Sequence, residues 1–307
     1  MIRRDAVILD IKASYYETLY QRSVVQLSGY SAKYALPQSL YAYLAFGGPT
    51  ASMKDALAEG MLAIATEKGL LQPGQPVVET SSGSFAVALA IACAHSRHPL
   101  ILCMPSSVPE ARQKLFIKLG AKIALTNQIY GRMGLKKRAR EAVEKTGGYY
   151  LDYFDNDLNA EFHRRVTGPN IARATEGALD AIVVGVGSGG TITGVGEFMK
   201  AWYPDVRMIA VEPYESQVLA GGEPGAHSIP GLGPGFVPEN YNPYIVDAII
   251  PVTSQDAAET AQEVLKSDAI PASPSAGAVL DAAHRYMKEN KDMRRVLCIF
   301  SGKETYE

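Results

Sequence analysis

The stretch Asp180-Ala-Ile-Val-Val-Gly185-Val-Gly187-Ser188-Gly189-Gly190-Thr191, running on in a helical pattern to Trp202, decides the fold. Residues 181–184 form a short apolar run of the kind found in strands covered on both faces. A glycine turn follows, then a helix over 191–202 and a further strand over Val206–Val211. Strand, turn, helix and strand in this order predict a βαβ unit and a parallel sheet. The N–H groups of such a turn, with the N-terminus of the next helix, suit a phosphate. Gly185, Gly187 and Gly190 match the dinucleotide fingerprint, and Glu212 ends the next strand near where a ribose-binding acid would sit. The glycines alone do not separate a dinucleotide from another phosphate ligand, and a purely structural turn is the alternative.

The same device occurs earlier. A strand over Gln75–Glu79 leads into Thr80-Ser81-Ser82-Gly83-Ser84 and a helix over Phe85–His95. Hydroxyls and N–H groups at a helix start suit a carboxylate, or merely a capped turn. Strands over Leu100–Met104 and Ala121–Leu125 are predicted, with a helix over Pro109–Leu119 between them and a basic helix over Gly134–Lys145 after them. Val296–Phe300 is the last strand. The expected fold class is α/β with βαβ units and a parallel sheet. Residues 214–245 are rich in Gly and Pro, and so long a loop is usually functional. Lys54 opens an apolar helix marked by Leu57, Met61 and Ile64. The helix dipole disfavours lysine there, and a desolvated amine suits Schiff-base chemistry; an exposed surface lysine is the plainer alternative.

Composition sets the bounds. With 307 residues, 47% hydrophobic and 20% charged, the chain fits about two globular domains and needs no staples. A net charge of −2 gives no general attraction to nucleic acid or anionic membrane. Cys93, Cys103 and Cys298 are few, odd in number and scattered, so a reducing, cytoplasmic setting is expected. No membrane span or signal peptide is expected either. Cys93, His95 and His98 lack a second ligand pair, so no metal is expected. Arg132, Lys136, Lys137, Arg138 and Arg140 read as a solvated helix face. His227 reads as a ligand contact or as a satisfied loop histidine.

Taken together, the three motifs resemble the cysteine synthase (O-acetylserine sulfhydrylase) family of pyridoxal-phosphate enzymes, in the fold-type-II group that includes cystathionine β-synthase. Gly47-Gly-Pro-Thr-Ala-Ser-Met-Lys54-Asp55 resembles the family's Schiff-base lysine motif, Asn-Pro-Gly-Gly-Ser-Val-Lys-Asp. Residues 81–85 stand at its substrate loop, Thr-Ser-Gly-Asn-Thr. Gly187-Ser188-Gly189-Gly190-Thr191 is similar to its phosphate cup. Thr167-Gly168-Pro169, His227–Pro238 and Phe300-Ser301-Gly302 match further family motifs in order. The resemblance covers nearly the whole chain.

The resemblance implies a tryptophan-synthase β-like α/β architecture of two parallel-type open sheet domains, with the cofactor pyridoxal 5′-phosphate in the cleft between them. Residues 46–156 would form the smaller, mobile one. Residues 14–45 with 157–307 would form the larger one, and 1–13 an N-terminal arm. A homodimer is implied. Lys54 would hold the cofactor as an imine and shuttle the α-proton. Gly187, Ser188, Gly189, Gly190 and Thr191 would bind the phosphate, Ser301 the pyridine nitrogen and Ser84 the cofactor's 3′ oxygen. A neutral serine at 301 favours β-elimination over racemisation or transamination. Ser81, Ser82, Gly83, Phe85, Tyr153 and Gly231 would surround the substrate, the 81–85 loop closing over it. The implied reaction is β-elimination on a serine- or cysteine-derived amino acid, then addition of a small nucleophile to the aminoacrylate. A cysteine lyase or desulfhydrase is the alternative within the class. An NAD(P)-dependent oxidoreductase and an inactive regulatory homologue are alternatives outside it.

Several positions depart from the family pattern. Ser84 replaces an asparagine, Phe85 a threonine and Tyr153 a glutamine, all near the expected carboxylate site. Tyr20-Gln21-Arg22-Ser23 replaces Gly-Asn-Thr-Pro, and Lys303-Glu304-Thr305 replaces Glu-Arg-Tyr. The stretch from Gly221 to Tyr241 contains no Lys or Arg. A phosphoserine substrate would need a cation there, so O-acetylserine or cysteine is favoured.

Overall fold

The computed structural model describes residues 18–20 and 22–304. The expected 1–13 arm, residues 14–17, Gln21 and Thr305 lie outside the described residues. Ten strands follow in chain order: β1 (Ser23–Gln26), β2 (Ser39–Leu44), β3 (Val77–Glu79), β4 (Leu100–Pro105), β5 (Lys122–Thr126), β6 (Tyr149–Tyr150), β7 (Ala181–Gly185), β8 (Arg207–Pro213), β9 (Ala248–Val252) and β10 (Arg295–Phe300). They build a six-stranded sheet in the order β1-β2-β10-β7-β8-β9 and a four-stranded sheet in the order β5-β4-β3-β6. Every pairing is parallel except that of the edge strand β1 with β2.

The larger sheet is covered on both faces, which explains its uninterrupted apolar strands. Ala181 and Val183 of β7 and Val296, Cys298 and Phe300 of β10 pack with the helices Ser254–Asp268 and Pro274–Glu289. Their neighbours Ile182, Val184, Leu297 and Ile299 face the opposite way, onto Ile192, Val195 and Met199 of the helix Gly190–Trp202. The two-residue alternation thus divides one apolar strand between two cores.

The sequence reading differs in identifiable places. The first predicted strand is shorter, and the basic helix starts earlier, at Gly131. β1, β2, β6, β9 and the two helices after residue 253 are absent from that reading. Those two helices carry legible start signals: Thr253 Oγ1 accepts from Asp256 N, and Ser273 Oγ precedes Pro274 and accepts from Ala276 N. The basic face is only partly solvated, because Arg132 and Lys136 both pair with Asp155. Residues 214–242 contain no helix or strand. No helix among the described residues is long and apolar enough to cross a membrane.

Ligands of parallel sheets sit at the strands' carboxyl ends. Those ends place Glu79 as the last residue of β3, Gly185 as the last of β7 and Ser301 just after β10.

Candidate active site

A narrow pocket opens at the carboxyl ends of β7 and β10, lined by Lys54, Gly187, Ser188, Gly189, Thr191, Gly231 and Ser301 among others. Far-apart segments are stitched together here. Met53 N donates to the Ser301 carbonyl at 2.8 Å and Lys303 N to the Ala51 carbonyl at 3.1 Å. The chain before Lys54 is therefore anchored to the end of β10, and Lys54 starts the helix Lys54–Glu67 half-buried at the pocket. Ser301 Oγ lies 3.4 Å from Ser275 Oγ, which lies 2.9 Å from Ser273 Oγ.

The glycines of the cup are required by close approach. A Cβ at Gly187 would lie 2.1 Å from the Gly231 carbonyl oxygen. Gly189 has φ +82°, and a Cβ there would lie 2.7 Å from Tyr241 N. No side chain caps the helix Gly190–Trp202, so its first N–H groups are available to a ligand. Gly190 is outside the pocket lining. Its role in the fold is packing, since a Cβ there would lie 2.0 Å from Asn159 Oδ1.

Of the substrate-loop residues, none lines this pocket. Ser81 is buried, Ser82 half-buried, and Gly83 and Ser84 are exposed. Ser82 presents its carbonyl to Arg112 Nε at 3.1 Å. Phe85 and Tyr153 are both buried and stacked, with ring centroids 3.9 Å apart and planes 17° from parallel. Lys54 Nζ lies 5.6 Å from the Tyr153 ring centroid, a cation–π distance. Among the described residues the Tyr153 hydroxyl makes no hydrogen bond, whereas its backbone is held at three points. Tyr153 N donates to Glu79 Oε2 at 3.0 Å, and its carbonyl accepts from Asn159 Nδ2 at 3.0 Å and Asn240 Nδ2 at 2.9 Å.

Glu79, Asn159, Asn240, Ser275 and His163 are site residues that the sequence reading missed. Asn159 spans the site, since its Nδ2 also donates to Ser188 Oγ at 3.0 Å. Its Oδ1 is buried without a partner among the described residues. Burial pushes the Glu79 carboxyl up to about 7, although the N–H groups of Tyr153 and Thr80 pull it back. The signal for Glu79 is its place at the end of a buried strand. The asparagines and His163 act across long sequence separations and give no local signal.

Two sequence expectations resolve differently. Glu212 is turned inward, where its carboxylate accepts from Leu219 N at 2.8 Å and Ala220 N at 3.2 Å. It closes the start of the 214–245 loop and has no ribose-binding position. His227 Nδ1 accepts from Ile229 N at 3.2 Å, which leaves Nε2 to donate to the Gly233 carbonyl at 2.9 Å. It braces that loop with both nitrogens. The 221–241 stretch, which has no Lys or Arg of its own, has a cation from another segment beside it: Arg132 Cζ stands 4.3 Å over the Phe236 ring.

Residues 18–302 match the family model described as pyridoxal-phosphate dependent enzyme. The chain is 38% identical to a cysteine synthase of Staphylococcus aureus over 251 residues, 81% of each chain. Its fold is similar to that of O-ureido-L-serine synthase, with a TM-score of 0.87 and 31% identity over 95% of this chain and 92% of that one. It is also similar to a hydrogen sulfide-producing enzyme of Fusobacterium nucleatum, with a TM-score of 0.87 and 25% identity over 96% and 98% of the two chains. These likenesses leave the oxidoreductase reading without support, and the chain belongs to the pyridoxal-phosphate-dependent enzyme family, among cysteine-synthase-like enzymes of β-substitution or β-elimination on amino acids.

Proposed function

We propose that Lys54 carries the cofactor, that Gly187, Ser188, Gly189, Gly190 and Thr191 hold its phosphate, and that Ser301 faces its ring nitrogen. One observation carries this reading: a lysine, an uncapped helix N-terminus and a neutral hydroxyl meet in one pocket. The residues fit the group, because a phosphate dianion suits unbonded N–H donors beside glycines where any Cβ would strike backbone. When bound, pyridoxal phosphate withdraws electrons from the substrate's α-carbon. Lys54 Nζ would take the α-proton as the β-substituent leaves, and would return one to the α-carbon only when a nucleophile has replaced that substituent. Ser301 offers a hydroxyl without charge. The test is borohydride reduction followed by peptide mapping. The pyridoxyl group is expected on Lys54, and a label on another lysine overturns the reading.

The substrate is taken to be O-acetylserine or cysteine, with a small second nucleophile. Arg132 stands beside the 221–241 stretch, and its pairing with Asp155 leaves it poorly suited to a substrate phosphate. The Tyr153 hydroxyl would donate to the substrate carboxylate in place of the donor that Phe85 lacks. Ser81, Ser82, Gly83 and Ser84 would reach the site, and Ser84 the cofactor, when residues 46–156 close toward the larger sheet, with Gly231 opposite. The exposed position of Ser84 favours such a motion. Comparing kcat/KM for O-acetylserine, cysteine and O-phosphoserine tests the choice, and a preference for O-phosphoserine sinks it. Three buried free thiols suit a cytoplasmic setting, and a homodimer completes the reading; sedimentation measures the latter.

A further inference from the structure

The helix facing the cup carries a buried histidine that none of the roles above uses. Residues 158–175 run as a helix interrupted at His163–Thr167 by a π turn, a form that recurs at functional sites. It packs closely on the helix Gly190–Trp202. A Cβ at Gly194 would lie 2.1 Å from the Ala160 carbonyl oxygen and 2.7 Å from His163 Cβ. The His163 ring is fully buried in this contact. Its Nδ1 lies 2.8 Å from Thr167 Oγ1 and its Nε2 3.1 Å from Thr191 Oγ1.

Each ring nitrogen thus faces one hydroxyl. Burial, then the neighbouring Lys54 charge, pushes the imidazole down to about 3, so near neutral pH the ring offers one N–H and one lone pair. With the lone pair on Nε2, Thr191 would give its only proton to His163 and present only lone pairs to the pocket. An anion in the cup opposes that arrangement. With the proton on Nε2, Thr191 accepts from His163 and keeps its own proton for the pocket, while Thr167 donates to Nδ1. The Met53 sulfur, 3.7 Å from Thr191 Oγ1, is a competing but weak acceptor for that proton.

We propose that His163 is a positioning residue for the cup, donating from Nε2 to Thr191 Oγ1 and thereby fixing the Thr191 hydroxyl as a donor to a phosphate monoester. The inference rests on the reading that residues 187–191 hold the cofactor's phosphate.

The test compares His163→Gln, whose amide reaches toward the Nε2 position, with His163→Asn, whose amide reaches only toward Nδ1. Affinity for pyridoxal phosphate, and for pyridoxal as the phosphate-free control, is measured by absorbance titration of the cofactor-stripped protein. Loss of one neutral hydrogen bond predicts roughly 3- to 10-fold weaker pyridoxal phosphate binding in His163→Asn. His163→Gln should stay within about 2-fold of wild type, and pyridoxal binding should change in neither. In the background Thr191→Val the Asn–Gln difference should vanish. Equal effects of Asn and Gln, or equal loss for pyridoxal, indicate packing alone and overturn the proposal. If Thr191→Val itself leaves pyridoxal phosphate affinity unchanged, the cup reading fails as well, which separates the two failures. Should His163→Asn not fold, ¹⁵N spectra of histidine-labelled wild-type holoenzyme decide the matter. A proton on Nε2 is expected, and one on Nδ1 overturns the proposal.

Discussion

The cup wall of the pocket and the loop wall that stands outside its lining are built on different terms. On the cup wall, a Cβ at Gly187 or Gly189 would strike backbone, and Ser188 and Thr191 are buried with hydrogen-bond partners. On the loop wall, Gly83 and Ser84 are exposed, and a stacked phenylalanine and tyrosine stand where the resembled family has polar side chains. The cup leaves no room for a side chain, whereas a Cβ at Gly83 on the loop would meet nothing within 4 Å. Altered chemistry in this chain is therefore expected on the substrate side, with the handling of the cofactor intact.

The comparison breaks first at Lys54, the residue both walls share. Lys54→Ala should abolish borohydride-trapped cofactor and reduce turnover by at least the 10²–10⁴-fold typical of lost proton transfer, on the order of several kcal/mol. Retained trapping and activity would refute the assignment.

Glu79 tests how far the loop wall depends on a buried charge. Burial raises it from its ordinary 4.5 to about 7, so the folded protein holds an extra proton across that window. Its contribution to stability is present below about 4.5 and is lost as pH rises toward 7. The loss amounts to about 3 kcal/mol. His163 acts in the opposite sense: lowered from 6.5 to about 3, it contributes stability above 6.5 that is lost as pH falls through that range. Denaturant melts of wild type and Glu79→Gln over pH 4.5–7 separate them. The variant should lack the fall with rising pH, and parallel curves would remove Glu79 from the account.

Tyr153→Phe addresses the loop wall alone. Losing a hydrogen bond to a charged group predicts about 10- to 150-fold weaker amino-acid binding, with cofactor absorbance unchanged. An unaltered dissociation constant rules out the carboxylate role, and no spectral response to any amino acid in wild type favours an inactive homologue.

Gly189→Ala and Ser84→Ala sharpen the contrast between the walls. At Gly189 the positive φ and the contact with Tyr241 predict at least about 5- to 30-fold weaker cofactor binding, from roughly 1–2 kcal/mol of backbone strain. At the exposed Ser84 the same truncation should cost less than about 3-fold in cofactor affinity, within the ±0.5 kcal/mol usual at surfaces. Effects of equal size at the two positions would erase the distinction.

Much of this molecule is legible along the chain. The apolar runs at 100–104, 181–184 and 296–300, with the glycine turn at 185–190, predict covered parallel strands and a phosphate cup, because period, length and glycine placement are local properties. Lys54 is legible as a lysine at an unfavourable helix start. The short edge strand β1 is not, since four residues carry too little pattern. The α/β class and the order of motifs were thus determined by sequence alone, and the two-sheet architecture was implied by the family resemblance that those motifs carry. Tertiary structure decided what meets at the site: Met53 against Ser301, Asn159 and Asn240 on the Tyr153 carbonyl, His163 on Thr191. Such pairings depend on loop closure across many residues and on the directions in which side chains leave distant elements. Local propensity encodes neither, and both are fixed only when the buried polar groups must find partners inside the packed fold.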